Sequence, residues 1–590
     1  MALLLSGCAV IAFPAVALAQ NNTVVTGTKT NNLNMGGADT LTVDPGATFA
    51  VNGAQAVNIN ANTTGAGVVI TNSGLIEANA NPNANPNGRA INSNGDFAAR
   101  NVTITNNASG TIRSTIRNAI RFGTTVPAGF DAPGSVIRID NSGRIETTGT
   151  SNAAIEIGTI GGAQFILTNN VGATIAAAGL QAIISGTAST ITNNGTITGF
   201  GTGAIVLSSN AGNTVTLGAS SLTQNGNAPG ATPAPSTPST TANAVNFTGT
   251  GANTLNLHAG ATVIGRLNGS TTGGNDRLNL LAGTGPATLG VVSNFDDIHV
   301  QGGDWTQNAT ISSKEGTPLT SVTIDSGATL RWVDSPSGVG GGFLRGAITN
   351  NGTFVVGRTG FTSQSSTYDP GDGTTVTVHS VLSGSGDLRI QNGGTFVLTA
   401  PNSYTGTTFI ENGGLRGDAA NVFAPGSAVD IAATGTLNAN GFDQTVAGFA
   451  GSGRVLLGTA GNSTLTAGGN NASTGFAGTI EQAGNLTKAG SGTLTLSGAN
   501  IYTGNTVVSG GTLAVAGAGI IGASASLTLA NAGTSFDIAG ASGAQSVQNL
   551  SGAAGSSVQL GAVDLTATYS ADAAFAGNIA GSGKFTKTGT

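Results

Sequence analysis

Between residues 491 and 515 the chain reads SGTLTLSGANIYTGNTVVSGGTLAV. Valine, leucine and threonine alternate in runs of four or five, glycine pairs separate the runs, and no residue is charged. A period of two is the pattern of a strand with one covered and one solvent-facing side. Such runs recur along the whole chain. In the first half a small residue precedes Ile or Val in QAVNI (55–59), RAINS (89–93), NAIRF (118–122), AAIEI (153–157), QAIIS (181–185), GAIVL (203–207) and NAVNF (243–247). A second element follows most copies, as in VITNSGLIE (69–77), TITNNASGTIR (103–113), RIDNSGRIE (138–146), ILTNNVGATI (166–175) and TITNNGTIT (190–198).

Strands this short cannot bury a face alone. Stacked as coils they cover one another, so the spacing predicts an all-β, right-handed parallel β-helix, rod-like, with loop excursions. Ile91, Ile120, Ile155, Ile183 and Ile205 are expected to form one inward ladder. Leu494, Leu496, Val507 and Leu513 are expected to point inward around their own coils. Asn72, Asn106, Asn169 and Asn193 recur at equivalent turns, where stacked side chains can hydrogen-bond along the axis. Proline-bearing segments 79–88, 124–134 and 227–241 read as loops leaving the coil.

The second half repeats on a longer period. GSGDLRIQNGGTFVLTAPNSYTGTTFIENGGL (384–415) answers GNLTKAGSGTLTLSGANIYTGNTVVSGGTL (484–513), FAGTI (476–480) answers FAGNI (575–579), and Lys587 aligns with Lys488. The chain stops at the threshold of a third copy, so the polypeptide is expected to continue. The divisions expected are 1–19, 20–270, 271–380 and 381–590, the last cut off mid-repeat.

Composition narrows the class. The chain has 590 residues, with 95 glycines and 8% charged residues, yet the regular Val, Ile and Leu argue against disorder. A net charge of −6 gives no reason to expect nucleic-acid binding. The opening MALLLSGCAVIAFPAVALAQ reads as a secretory signal cleaved after Ala17-Leu18-Ala19, before Gln20, although a Lys/Arg start is missing. Cys8 would leave with it, and stability would then rest on stacking alone.

Residues 488–513 resemble the autotransporter-associated β-strand repeat of Gram-negative passenger domains: a Lys, a Gly-Thr-Leu strand, Asn-x-Tyr-Thr-Gly, then Gly-Gly-Thr-Leu. Residues 389–415 depart from it at Arg389, Gln391, Phe396 and Ala400-Pro401. NFDDIHVQGGDWTQN (294–308) is similar to a segment common in such passengers. The resemblance implies a signal peptide, export through the periplasm, and a C-terminal outer-membrane β-barrel as partner, outside this chain. It implies a surface or released passenger with an adhesive or structural role, facing host-cell or surface glycan or protein ligands. The rival class is a β-helical polysaccharide lyase or hydrolase.

Chemistry is sparse. His258, His299 and His379 are far apart and lack metal-ligand spacing. GTSFD (533–537) lacks the rest of a serine-protease box. GGADTLTV (36–43) and GGNDRLNL (273–280) are not tandem, so they read as turns with Asp and not as calcium coils. No catalytic residue, cofactor or metal is expected. Arg416-Gly417-Asp418 is an integrin-type adhesion tripeptide, or simply a strand end and its turn. Seven arginines between Arg89 and Arg144 could form a basic stripe for anionic glycan or lipopolysaccharide, or be solvated outer faces of successive coils.

Overall fold

The structure, a computed structural model, describes residues 20–59, 67–80, 88–93, 101–123, 134–226, 242–307, 311–312, 321–334, 346–358, 375–570 and 572–590. Cys8, Ala17, Ala19, Arg100, all of 227–241 and most of 79–88 and 124–134 lie outside the described residues. Among the described residues there is no helix, and the protein is an all-β parallel β-helix solenoid. The chain divides into two compact units, one of residues 1–215 and 220–251, the other of 216–219 and 252–590.

In the first unit each coil lays one strand on each of three faces. One coil runs Val102–Asn106, Thr111–Ser114 and Ile120–Phe122. Each strand pairs in parallel with its counterpart one coil away, at 136–141, 144–147 and 155–157. The alternating pattern now has a direction. On the first face Ile70, Ile104, Ile139, Leu167 and Ile191 stack inward. On the second, Ile76, Ile112, Ile145, Ile175 and Ile197 do so. On the third, Ile91, Ile120, Ile155, Ile183 and Ile205 form the expected ladder, all fully buried. Each buried branched side chain contributes roughly 1.5–3 kcal/mol against exposure, so the coil is held by its neighbours and not by local propensity.

The asparagine stack is also present, at the corner after the first face. Asn72 donates to Asn106, Asn106 to Asn141, Asn141 to Asn169 and Asn169 to Asn193, each through Nδ2 to Oδ1 at 2.8 Å. Asn193 closes the run by donating to Thr223 Oγ1 at 2.9 Å. All five asparagines are fully buried, so each amide needs its neighbour. Asn141→Ala would strip Asn169 Oδ1 of its donor and is expected to cost about 1–3 kcal/mol. Urea unfolding of the two proteins measures it; a change within about 0.5 kcal/mol, the usual range for an exposed site, would contradict this role.

In the second unit the coil shortens. Leu465, Leu486, Thr506 and Leu527 are successive register partners, so a coil there closes in 20 or 21 residues. The 98-residue separation of Tyr404 and Tyr502 is therefore not a whole number of coils. The aligned strands Thr395–Leu398 and Thr493–Leu496 accordingly lie in different sheets. The repeated text returns on a different face of the solenoid.

Leu494, Leu496 and Leu513 are buried as expected. Val507 is not: it is only partly covered, while Thr506 and Val508 point inward. The strand Asn505–Val508 is one residue out of the expected phase. The reason is polar. Thr506 takes the inward position because its hydroxyl is hydrogen-bonded to Tyr502 and Ser524 inside the coil.

Candidate functional site

The aligned segments at 402–408 and 500–506 build the same constellation twice. Asn402 Oδ1 accepts from Leu382 N at 2.7 Å, and its Nδ2 donates to Val422 O at 2.6 Å. Asn500 Oδ1 accepts from Ile480 N at 3.1 Å, and its Nδ2 donates to Ile520 O at 3.0 Å. Each asparagine thus spans three successive coils. Its side chain supplies the acceptor and donor that a backbone rung would have supplied. Regular strands stop where this happens: Leu382–Ser383 and Thr479–Glu481 are the last members of their sheets.

Behind each amide lies a buried hydroxyl chain. Tyr404 bonds Thr408 at 2.7 Å, Thr408 bonds Ser427 at 2.8 Å, and Ser427 donates to Gly406 O at 2.7 Å. Tyr502, Thr506, Ser524 and Gly504 O repeat the chain at 2.5, 2.8 and 2.8 Å. Burial pushes both phenols up to about 12, against the weaker opposing effect of their hydroxyl partners. Lys488, also buried, donates to the carbonyls of Ala489, Gly490 and Gly510, and burial lowers its pKa. These roles were not read from the sequence. The signal was the repetition of Asn-x-Tyr-Thr-Gly itself.

The Arg-Gly-Asp tripeptide sits differently from a presented loop. The strand Gly413–Gly417 runs through Arg416 and Gly417, past Leu415. Arg416 forks onto Asp418, with Nε to Oδ1 and Nη2 to Oδ2 both at 2.7 Å, and Asn440 donates to the same carboxylate at 2.9 Å. A Cβ on Gly417 would come within 2.6 Å of Gln444 Nε2, an amide that also donates to Ala419 O. The arginine and the aspartate hold each other.

The arginine-rich region splits by face. On the second face Arg113 bonds Glu77 at 2.5 Å, and Arg144 bonds Glu146 at 2.5 Å. On the third, Arg121 faces Glu156 at 3.3 Å. Arg89 is buried beside Asn118, its Nε 3.4 Å from Oδ1. Its pKa falls to about 10, first through burial and then through Arg121 and Arg117, with Glu156 opposing. So Arg89 is not a solvated outer residue. Among the described residues, Arg117, Arg121 and Glu156 are the charged groups that act on it.

The histidines are spread out: His258 Nδ1 meets Ala282 O at 3.1 Å, His299 Nε2 meets Asp325 at 3.0 Å and His379 Nδ1 meets Thr399 at 2.9 Å. Asp39 accepts from the backbone N–H groups of Asn21 and Gly36. Asp276 accepts from Asn253 and Ser270. Each lies directly before a strand, and Asp276 is fully buried. The Ser535 hydroxyl accepts from Ser557 at 3.2 Å. Among the described residues no group of three or more His, Cys, Asp or Glu could hold a metal ion.

The Passenger-associated-transport-repeat family model matches residues 391–416 and 486–515. Each match contains the asparagine, tyrosine and threonine of one constellation, while Ser427 and Ser524 lie outside. The chain is also 34% identical over 151 residues to the adhesin BmaC autotransporter of Brucella suis biovar 1 (strain 1330). These matches support an autotransporter passenger domain. The match spans 24% of this chain and 4% of the Brucella protein, so the chain covers a small part of that relative's length. In this passenger the repeat family is marked by side chains that hold coils together. Asn402, Tyr404 and Thr408 lie in one matched segment, and Lys488, Asn500, Tyr502 and Thr506 in the other.

Proposed function

We propose that this passenger is displayed on the cell surface, reached through the periplasm, and acts by adhesion without catalysing a reaction. A C-terminal β-barrel in the same precursor would be its translocation partner. The observation that carries the reading is the similarity to a relative named as an adhesin autotransporter. The chemistry of the faces supports it. An enzyme acting on polysaccharide needs acids gathered around one substrate. The carboxylates of Glu77, Glu146, Glu156, Asp304, Glu411 and Glu481 are instead each engaged by an arginine.

The ligand contact is assigned to Arg117 and Arg121, with buried Arg89 adding positive charge behind them, and its chemistry is that of an acidic glycan. Arg416 and Asp418 satisfy each other and are left out of the contact. Cells displaying the whole precursor test this against cultured host-cell monolayers. Arg117→Glu should lower adhesion, adhesion should weaken as salt is raised, and Asp418→Ala should leave it unchanged. Equal adhesion by the Arg117→Glu cells would remove this contact. Adhesion no greater than that of cells lacking the precursor would remove the adhesive reading.

A further inference from the structure

One face of the second unit has an unfilled break. Thr262–Ile264 is the last strand of its sheet, and Ala287–Leu289 is the first of another. They belong to successive coils. On the other two faces the same coils are zipped: Thr254–His258 pairs with Arg277–Leu281, and Leu267 pairs with Val292. On this face the two strands are not hydrogen-bonded neighbours. A cavity of about 400 Å³ separates them, walled by Val263, Ala287 and Thr288 and floored by Leu257, Leu267 and Trp305. The floor residues are inward-facing members of the core. The far edge of Ala287–Leu289 continues into a regular ladder, with Ala287 opposite Trp305.

Where ladders break at Leu382 and Ile480, Asn402 and Asn500 fill the gap with a side-chain amide. Here no amide, carboxylate or cationic side chain lines the gap. Both walls are strand edges, whose backbone N–H and C=O groups can pair with an added strand. We propose that this gap is a strand-addition site, taking a short, extended, uncharged peptide segment of a partner protein between the two edges. The backbone of the guest would restore the ladder that runs on from Ala287–Leu289. One small or β-branched apolar side chain would drop onto Leu257, Leu267 and Trp305. The volume suits a few residues, and the uncharged walls select against a charged segment.

The test uses the whole passenger and a fluorescein-labelled peptide of alternating threonine and valine, followed by anisotropy. Saturable binding is expected, with no comparable binding by the same peptide carrying a central proline, which lacks the donor. Gly290 lines the cavity, a Cβ there meets nothing within 4 Å, and its backbone is not left-handed. Gly290→Leu should therefore fold with an unchanged thermal midpoint, fill the gap, and weaken the peptide by roughly tenfold or more. Thr288→Lys should weaken it independently by charging a wall. No binding by the threonine–valine peptide, equal binding by the proline peptide, or unchanged affinity in both variants would overturn the site.

Discussion

Raising the pH from 9 to 12 should destabilise the coils that carry Tyr404 and Tyr502, and replacing both tyrosines by phenylalanine should remove most of that loss. In the unfolded chain each phenol titrates near 10, and in the fold only near 12. Below pH 10 both states hold the proton and the full stability is present. Between 10 and 12 the unfolded chain ionises while the fold cannot, so stability falls as pH rises. Such a shift corresponds to roughly 3 kcal/mol for each tyrosine, which is large against a marginal stability. Lys488 acts with the opposite sign. Its folded pKa lies below 10.5, so its contribution grows as pH climbs towards 10.5 and then levels off. The tyrosine loss therefore stands clear above that point. The Tyr404→Phe/Tyr502→Phe protein should be slightly weaker at pH 8, having lost two hydroxyl bonds, yet its urea midpoint should fall much less between pH 10 and 12. Parallel decline in both proteins would show that these phenols are not the cause.

Asn500→Ala should be among the most damaging single substitutions in the repeats. It leaves Ile480 N–H without its acceptor, while Ile520 C=O keeps the backbone N–H of Asn500 at 3.3 Å. A buried orphan costs about 1–3 kcal/mol, and a loss of that size is expected. Because each coil contacts only its neighbours, the effect should be local. Hydrogen exchange at Ile480 should accelerate strongly, while exchange at Ile104, in the other unit, stays unchanged. Asn531→Ala, at an exposed position, is the control. Equal exchange at Ile480 in all three proteins would contradict the bridging role.

The parts of the fold legible in the sequence were those set by period. The Ile91-to-Ile205 ladder and the asparagine stack follow from equivalent places in equivalent short strands, and both are present. Val507 failed because alternation alone cannot tell which of two phases is inward when Thr and Val are both available. A hydrogen bond to Tyr502 decided for Thr506. The rotation of the repeat to another face was invisible because the coil length of the second half is not written in the 98-residue period. The site was less legible than the fold. Whether Arg416 is presented or paired depends on a two-residue fork to Asp418 that spacing permits and does not require. The gap at Val263 and Ala287 leaves no motif at all, since it consists of pairing that does not occur.

This passenger is expected to bind a surface ligand and leave it chemically unaltered. The most direct measurement is the mass of an acidic glycan eluted from the purified passenger after binding to saturation. Saturable, salt-sensitive binding with the glycan recovered at its original mass is the expected result. A shortened or unsaturated glycan, or no binding even at low salt, would contradict it.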